Sequence, residues 1–183
     1  DLGQGAGFYV NATQKPWDAH FHMWDYIAEE LPALLGREFA VDLDRQSIMG
    51  HSMGGHGALT LAMGRPGQYR SVSAFSPICN PMGSDWGRKQ LTSYLGDDES
   101  RWKPHDASHQ MQEVGFDGPV LIDTGTQDQF LELLKPESLA FAMAKRRQEG
   151  HFRMQNGYDH SYFFVSSFME DHVTFHAEAL YAE

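Results

Sequence analysis

The sequence predicts an α/β fold, a mostly parallel sheet with helices on both faces. Three observations predict it. Short apolar runs alternate with segments of helical period along the chain. A serine stands between glycines in Gly50-His51-Ser52-Met53-Gly54, directly after one such run and before a small-residue segment. Turn-rich stretches bearing Asp128 and His160 follow two later runs. Ligands of open parallel sheets bind beyond the carboxyl ends of the strands, so these positions fall at one edge of the sheet.

The elements follow in order. Gly3, Gly5 and Gly7 open the chain. No strand precedes them and no helix clearly follows, so they read as a surface loop and not as a nucleotide-binding turn. Met23, Ile27, Leu31 and Leu34 predict a helix over residues 22–36, with Gly36 as its cap. Residues 46–49 read as a strand and 53–63 as a helix of small residues, ended by Gly64 and Pro66. A strand is expected over 71–75, a Pro- and Gly-rich loop over 76–86, and short helices and turns over 87–112. Then come a strand at 119–123, a helix at 135–148, a strand at 151–154 and a long final helix at 161–180.

Composition narrows the classes of function. The 183 residues suit one domain spanning 1–183, and 41% hydrophobic content is that of a globular chain. A formal charge of −11 repels nucleic-acid phosphates, and the basic clusters Arg88-Lys89 and Lys145-Arg146-Arg147 are short. The latter reads as a helix end, where cations suit the dipole. No run reaches the about 18 apolar residues of a membrane span. No signal peptide is visible, and the sequence begins at Asp1, so a targeting segment can lie outside it. Cys79 is the single cysteine, which rules out an internal disulfide and fits a reducing compartment. It reads as a small buried residue.

The strand-end residues share a chemistry. A serine hydroxyl is a weak nucleophile until a base takes its proton. His160 is the candidate base, and Asp128 the acid that orients it and stabilises its imidazolium. The chain order Ser, Asp, His is that of the α/β-hydrolase fold, and Gly-x-Ser-x-Gly is its nucleophile elbow. The elbow strains the serine, and side chains in place of the flanking glycines are expected to clash with the adjacent strand and helix. The Met53 amide, at the start of the following helix, is the candidate oxyanion donor. Asp123 is a rival acid, but it lies within its strand. Asp159 reads as a turn former. His172 and His176, four apart on a helix, lack a third metal ligand and read as a solvated face; His20 and His22 are given a similarly plain reading. His51 and His56 are expected to pack around the elbow.

At these residues the chain resembles the S-formylglutathione hydrolase (esterase D) family. The matching segments are DRQSIMGHSMGGHGALTLA (44–62), YRSVSAFSPICNP (69–81), LIDTGTQDQFL (121–131), GYDHSYFF (157–164) and DHVTFHAEAL (171–180). The resemblance implies an α/β-hydrolase with Ser52, Asp128 and His160 as triad and the Met53 amide as oxyanion donor. The implied reaction is hydrolysis of S-formylglutathione to formate and glutathione, the last step of glutathione-dependent formaldehyde detoxification. It implies no metal or organic cofactor, a small-molecule thioester substrate, a cytoplasmic enzyme, and often a homodimer. A formyl group calls for a narrow acyl pocket, with Trp86 or Phe130 as candidate walls. Glutathione carboxylates call for local cations, for which Arg88 and Lys89 are candidates against the reading of a solvated pair. One departure is Asp85-Trp86-Gly87, where the family usually has proline before the tryptophan. Another is at the front: members carry about a hundred residues ahead of this segment, consistent with the size of full domains. The chain therefore reads as the C-terminal two-thirds of such a domain, without its first strands and the second oxyanion amide. Two alternatives stand beside this reading. One is a general short-chain carboxylesterase or acyltransferase; the other is an inert fragment that needs a partner chain.

Overall fold

The computed structural model describes residues 2–3 and 7–182. Gly5 of the glycine-rich opening lies outside them. Gly3 is packed: its amide donates to the Tyr94 hydroxyl at 3.0 Å. Among the described residues four strands form a parallel sheet in the order β1 (Gln46–His51), β2 (Tyr69–Phe75), β3 (Val120–Gly125) and β4 (Gly150–Gln155). Between β1 and β2 runs α3 (Met53–Gly64). Between β2 and β3 run α4 (Asp85–Leu95) and α5 (Ala107–Glu113). Between β3 and β4 run α6 (Leu131–Leu134) and α7 (Pro136–Arg146), and α8 (Tyr162–Tyr181) closes the chain.

Alternation along β2 sorts its side chains between the two faces of the sheet. Val72 and Ala74 enter a core with Ala58 and Leu59 of α3, Met111 of α5 and Leu139 of α7. Ser71, Ser73 and Phe75 point the other way, to α8. Nearly all of α3 is buried, which explains its small and apolar residues: it must lie close against the sheet on one side and α5 on the other. A second core gathers Phe8, Ile78, Leu91 and Tyr94 around α4.

Several boundaries differ from the sequence reading. The first helix runs as α1 (Met23–Asp25), a π-helical stretch Tyr26–Glu30, and α2 (Leu31–Glu38). It passes through Gly36 and ends where Phe39 turns extended. Helices do occupy the stretch 87–112, but α4 begins at Asp85, inside the expected loop over 76–86, and its Ser84 cap accepts a hydrogen bond from the Gly87 amide at 3.1 Å. Lys135 and Arg147, both in left-handed conformation, bracket α7.

The larger correction concerns His172 and His176, read above as a solvated face. His172 is fully buried and His176 is 8% exposed. The face of α8 against the sheet carries Phe164, Phe168, His172 and His176 at four-residue spacing. The sheet opposite offers Ser71, Ser73 and Asp123, so imidazoles suit it where aliphatic side chains would strand polar atoms. Among the described residues no helix is long and apolar enough to cross a membrane.

Candidate active site

Ser52 sits between β1 and α3 with φ 60° and ψ −116°, a backbone conformation that costs of order 1–3 kcal/mol for a residue with a side chain. Its surroundings impose that conformation. The Ser52 amide donates to the Phe75 carbonyl at 2.9 Å, and the Ser52 carbonyl accepts from the His56 amide at 3.0 Å. The turn is tight at Gly50, where a Cβ would stand 2.2 Å from the Gly54 carbonyl oxygen. The expectation of a similar clash at Gly54 fails: a Cβ there meets only the Tyr9 hydroxyl, at 3.7 Å. The close approach belongs to Gly55, whose Cβ would lie 3.1 Å from that of Ala74 on β2.

Asp128 and His160 come from the loops after β3 and β4, and those loops are stitched together. The Thr126 amide donates to Gln155 at 3.0 Å, the Gln127 amide to Tyr158 at 2.9 Å, and the Gly157 amide to the Thr126 hydroxyl at 2.9 Å. Gly125 permits this, because a Cβ on it would lie 2.2 Å from the Tyr158 carbonyl oxygen. The result is one hydrogen-bonded row. His160 Nε2 lies 2.9 Å from Ser52 Oγ, and His160 Nδ1 lies 2.7 Å from Asp128 Oδ2. Asp128 Oδ1 accepts from the Phe130 amide at 2.8 Å. Burial opposes ionisation of Asp128, but the hydrogen bonds from His160 and Phe130 outweigh it and hold the carboxyl below its ordinary range. Asp159 takes the turn position, accepting from the Ser161 amide at 2.9 Å.

Two cavities meet at Ser52 and His160. One, of about 420 Å³, is walled by Ile78, Trp86, Phe130, Leu133 and Leu134. The other, of about 870 Å³, is lined by Tyr9, His20, His51 and Tyr162 among others. Met53 lines both and is the first residue of α3, so its amide is one of those with no acceptor inside the helix. Lys89 is exposed on α4 and lines neither cavity; Arg88 pairs with Glu99 and lies over the Trp102 ring. Asp123 is placed away from His160: it binds His172, Arg153 and Gln155 instead. Among the described residues no group of three His, Cys, Asp or Glu side chains could hold a metal ion.

Sequence reasoning missed the walls Ile78, Leu133 and Leu134; the run Phe130-Leu131-Glu132-Leu133-Leu134 after Asp128 was the signal for the two leucines, and Ile78 had none. It placed His51 beside the elbow but not against His160, whose ring centroid lies 4.6 Å away. His56 does pack behind the elbow, with its Nε2 2.7 Å from the His105 carbonyl oxygen.

A parallel sheet, a strained serine on a strand-to-helix turn, and histidine and aspartate on later strand-end loops define the α/β-hydrolase class. The chain belongs to the esterase family: the family model described as "Putative esterase" matches residues 1–175. It is similar to an S-formylglutathione hydrolase of Paracoccus denitrificans, 64% identical over 98% of this chain and 64% of that protein. It is also similar to an S-formylglutathione hydrolase of Mus musculus, 50% identical over 100% of this chain and 66% of that protein. The solved S-formylglutathione hydrolase of Agrobacterium tumefaciens superposes with a TM-score of 0.92 at 47% identity, covering 96% of this chain and 64% of that one. The chain thus spans slightly less than two thirds of the length of these relatives.

Proposed function

We propose that the chain carries the catalytic centre of a serine thioesterase that hydrolyses S-formylglutathione to formate and glutathione. The observation that carries the reading is the row Ser52–His160–Asp128, with contacts of 2.9 and 2.7 Å. Ser52 Oγ attacks the thioester carbonyl carbon while His160 Nε2 takes its proton, and Asp128 stabilises the imidazolium. The oxyanion develops at the amino end of α3, where the Met53 amide donates to it. Collapse breaks the carbon–sulfur bond, and His160 returns the proton to the leaving glutathione sulfur. Water, deprotonated by His160, then attacks the formyl-serine ester and releases formate and free Ser52.

The apolar cavity beside Ser52, with Trp86 and Phe130 in its wall, takes the acyl group. Lys89 attracts the glutathione carboxylates from α4. The similarity to S-formylglutathione hydrolases from three organisms supports the choice of substrate. A cytoplasmic homodimer acting on a small molecule is the corresponding cellular form, and a single buried Cys79 thiol suits a reducing compartment.

A second reading, a general short-chain carboxylesterase, is favoured by the volume of that cavity, about 420 Å³, far more than a formyl group fills. One experiment tests both: initial rates on S-formylglutathione and on acetyl and butyryl esters, each with Ser52→Ala beside the parent. Formyl thioester turnover that exceeds ester turnover and vanishes in Ser52→Ala is the expected result. Ester turnover in excess of the thioester selects the second reading, and undiminished turnover in Ser52→Ala overturns both.

A further inference from the structure

His172 contacts β2 and β3 and sits on α8, and through them it reaches the segments that carry the Ser52–His160–Asp128 row. Its ring stacks on Phe75, with centroids 3.7 Å apart and planes 20° from parallel. The carbonyl of Phe75 is the acceptor that anchors the Ser52 amide, at 2.9 Å. His172 Nε2 lies 3.1 Å from Asp123 Oδ2 on β3, the strand that leads to Asp128. The Asp123 carbonyl accepts from the Ser76 amide at 2.7 Å, which ties the ends of β2 and β3 together. His172 itself belongs to α8, which starts just after His160.

Other contacts hold this imidazole in place. Its Nδ1 lies 2.8 Å from Ser73 Oγ. Ser73 Oγ lies 2.7 Å from His176 Nε2, and His176 Nδ1 lies 2.7 Å from Ser71 Oγ. Ser71 Oγ meets Ser47 Oγ at 2.7 Å. On the other side Asp123 accepts from Arg153 Nε at 2.7 Å and Gln155 Nε2 at 3.0 Å, and Arg153 Nη1 donates to Asp171 at 2.8 Å. With both imidazoles neutral, Asp123 as acceptor gives the row a direction: Ser47 donates to Ser71, Ser71 to His176, His176 to Ser73, Ser73 to His172, and His172 to Asp123. It crosses the sheet from β1 to β4 beneath α8. A shift of α8 along the sheet would strand several buried polar groups at once, so the row admits one register.

Ser73, His172 and Asp123 repeat the order serine, histidine, carboxylate, yet all three are fully buried, so no substrate reaches them.

We propose that His172 is a positioning residue for the site above it: from one buried point it fixes β2, β3 and α8, and so the distance between His160 and Ser52. The proposal rests on the reading of Ser52, His160 and Asp128 as the catalytic row. Two variants of the full protein test it. His172→Phe keeps a ring on Phe75 and removes both hydrogen bonds; His172→Gln restores an amide that donates toward Asp123. Three quantities are read at a temperature where circular dichroism shows each variant folded. They are kcat and KM for S-formylglutathione, the rate of Ser52 phosphonylation by a fluorophosphonate, and the far-downfield proton resonance of the His160–Asp128 hydrogen bond.

In His172→Phe, kcat and the phosphonylation rate are expected to fall about tenfold or more, because small misplacements of reacting groups cost rate steeply. KM should stay within about twofold and the downfield resonance should broaden, while His172→Gln recovers most of the loss. A His172→Phe variant that melts earlier but keeps its resonance, kcat and phosphonylation rate overturns the proposal and leaves His172 a packing residue. If His172→Phe does not fold, His172→Gln and Ser73→Ala carry the test: an unchanged resonance and phosphonylation rate in both overturn it, and reduced rates in Ser73→Ala support it. A parent that is phosphonylated at Ser52 but inert to S-formylglutathione overturns the substrate reading alone. The resonance and the phosphonylation rate then still decide the role of His172.

Discussion

The imidazole of His51 lies against that of His160, with ring centroids 4.6 Å apart and planes inclined at 40°. Burial, and then the proximity of His160, keep the pKa of His51 below its ordinary value. A neutral ring can lie beside a base that the proposed reaction turns into an imidazolium; a fixed cation cannot do so without cost. In His51→Lys the acid limb of kcat/KM should move down by about one pH unit, because a neighbouring cation disfavours protonation of His160. Turnover on the plateau should fall, since the same cation disfavours the imidazolium at the transition state. An unshifted limb would show that the two rings do not interact electrically.

The two glycines around Ser52 should behave differently. Gly50→Ala forces a Cβ to within 2.2 Å of the Gly54 carbonyl oxygen, so the elbow must open. We expect loss of turnover and destabilisation by several kcal/mol, on the order of other overpacking errors. Gly54→Ala meets only the Tyr9 hydroxyl at 3.7 Å and replaces a helical glycine, a change that stabilises by about 0.5–1 kcal/mol where space allows. Thermal melting of both variants decides the matter; equal damage would contradict the geometry.

Acid should loosen the fold well above the ordinary carboxylate range. Burial lowers the pKa of His56, His105 and His176 from 6.5 to about 4 each. The unfolded chain binds these protons from about pH 6.5 downward, while the folded protein resists them until about pH 4. The stabilisation is therefore complete above pH 6.5 and is lost as pH falls from there to about 4, on the order of 3 kcal/mol per histidine. Asp123, held at about 2 by hydrogen bonds from His172, Arg153 and Gln155 that outweigh its burial, adds a further loss only at lower pH. Urea unfolding at pH 7 and pH 5 should show a drop of several kcal/mol, and a flat profile would contradict the buried neutral state.

Acyl selectivity should follow the wall of the smaller cavity. Trp86→Ala opens it beside Ser52, and the ratio of butyryl to formyl turnover should rise about tenfold, the scale that added methylenes command in an apolar pocket. An unchanged ratio at unchanged melting temperature would place the acyl group in the other cavity.

Lys89→Ala should raise KM for the glutathione thioester and leave KM for a neutral ester unaltered, if the exposed α4 cation draws the carboxylates in. Equal effects on both substrates would remove Lys89 from the substrate contacts.

The sequence by itself determined the run of strands and helices and the loops on which Ser52, Asp128 and His160 stand. Those features are local: a period of side chains, a turn residue, a helix end. The same local evidence misjudged His172, because helical spacing says which residues share a face and nothing about what that face meets. Ser73 and His172 are 99 positions apart, and only the packing of α8 on β2 makes them partners. It was likewise tertiary structure that set His51 against His160, moved the tight glycine contact from Gly54 to Gly55, and built the apolar cavity from Ile78, Trp86 and Leu134 on three separate segments. Local patterns dictate what the backbone does next; burial and hydrogen-bond partners depend on what the chain brings back from far away, and that was decided by the fold.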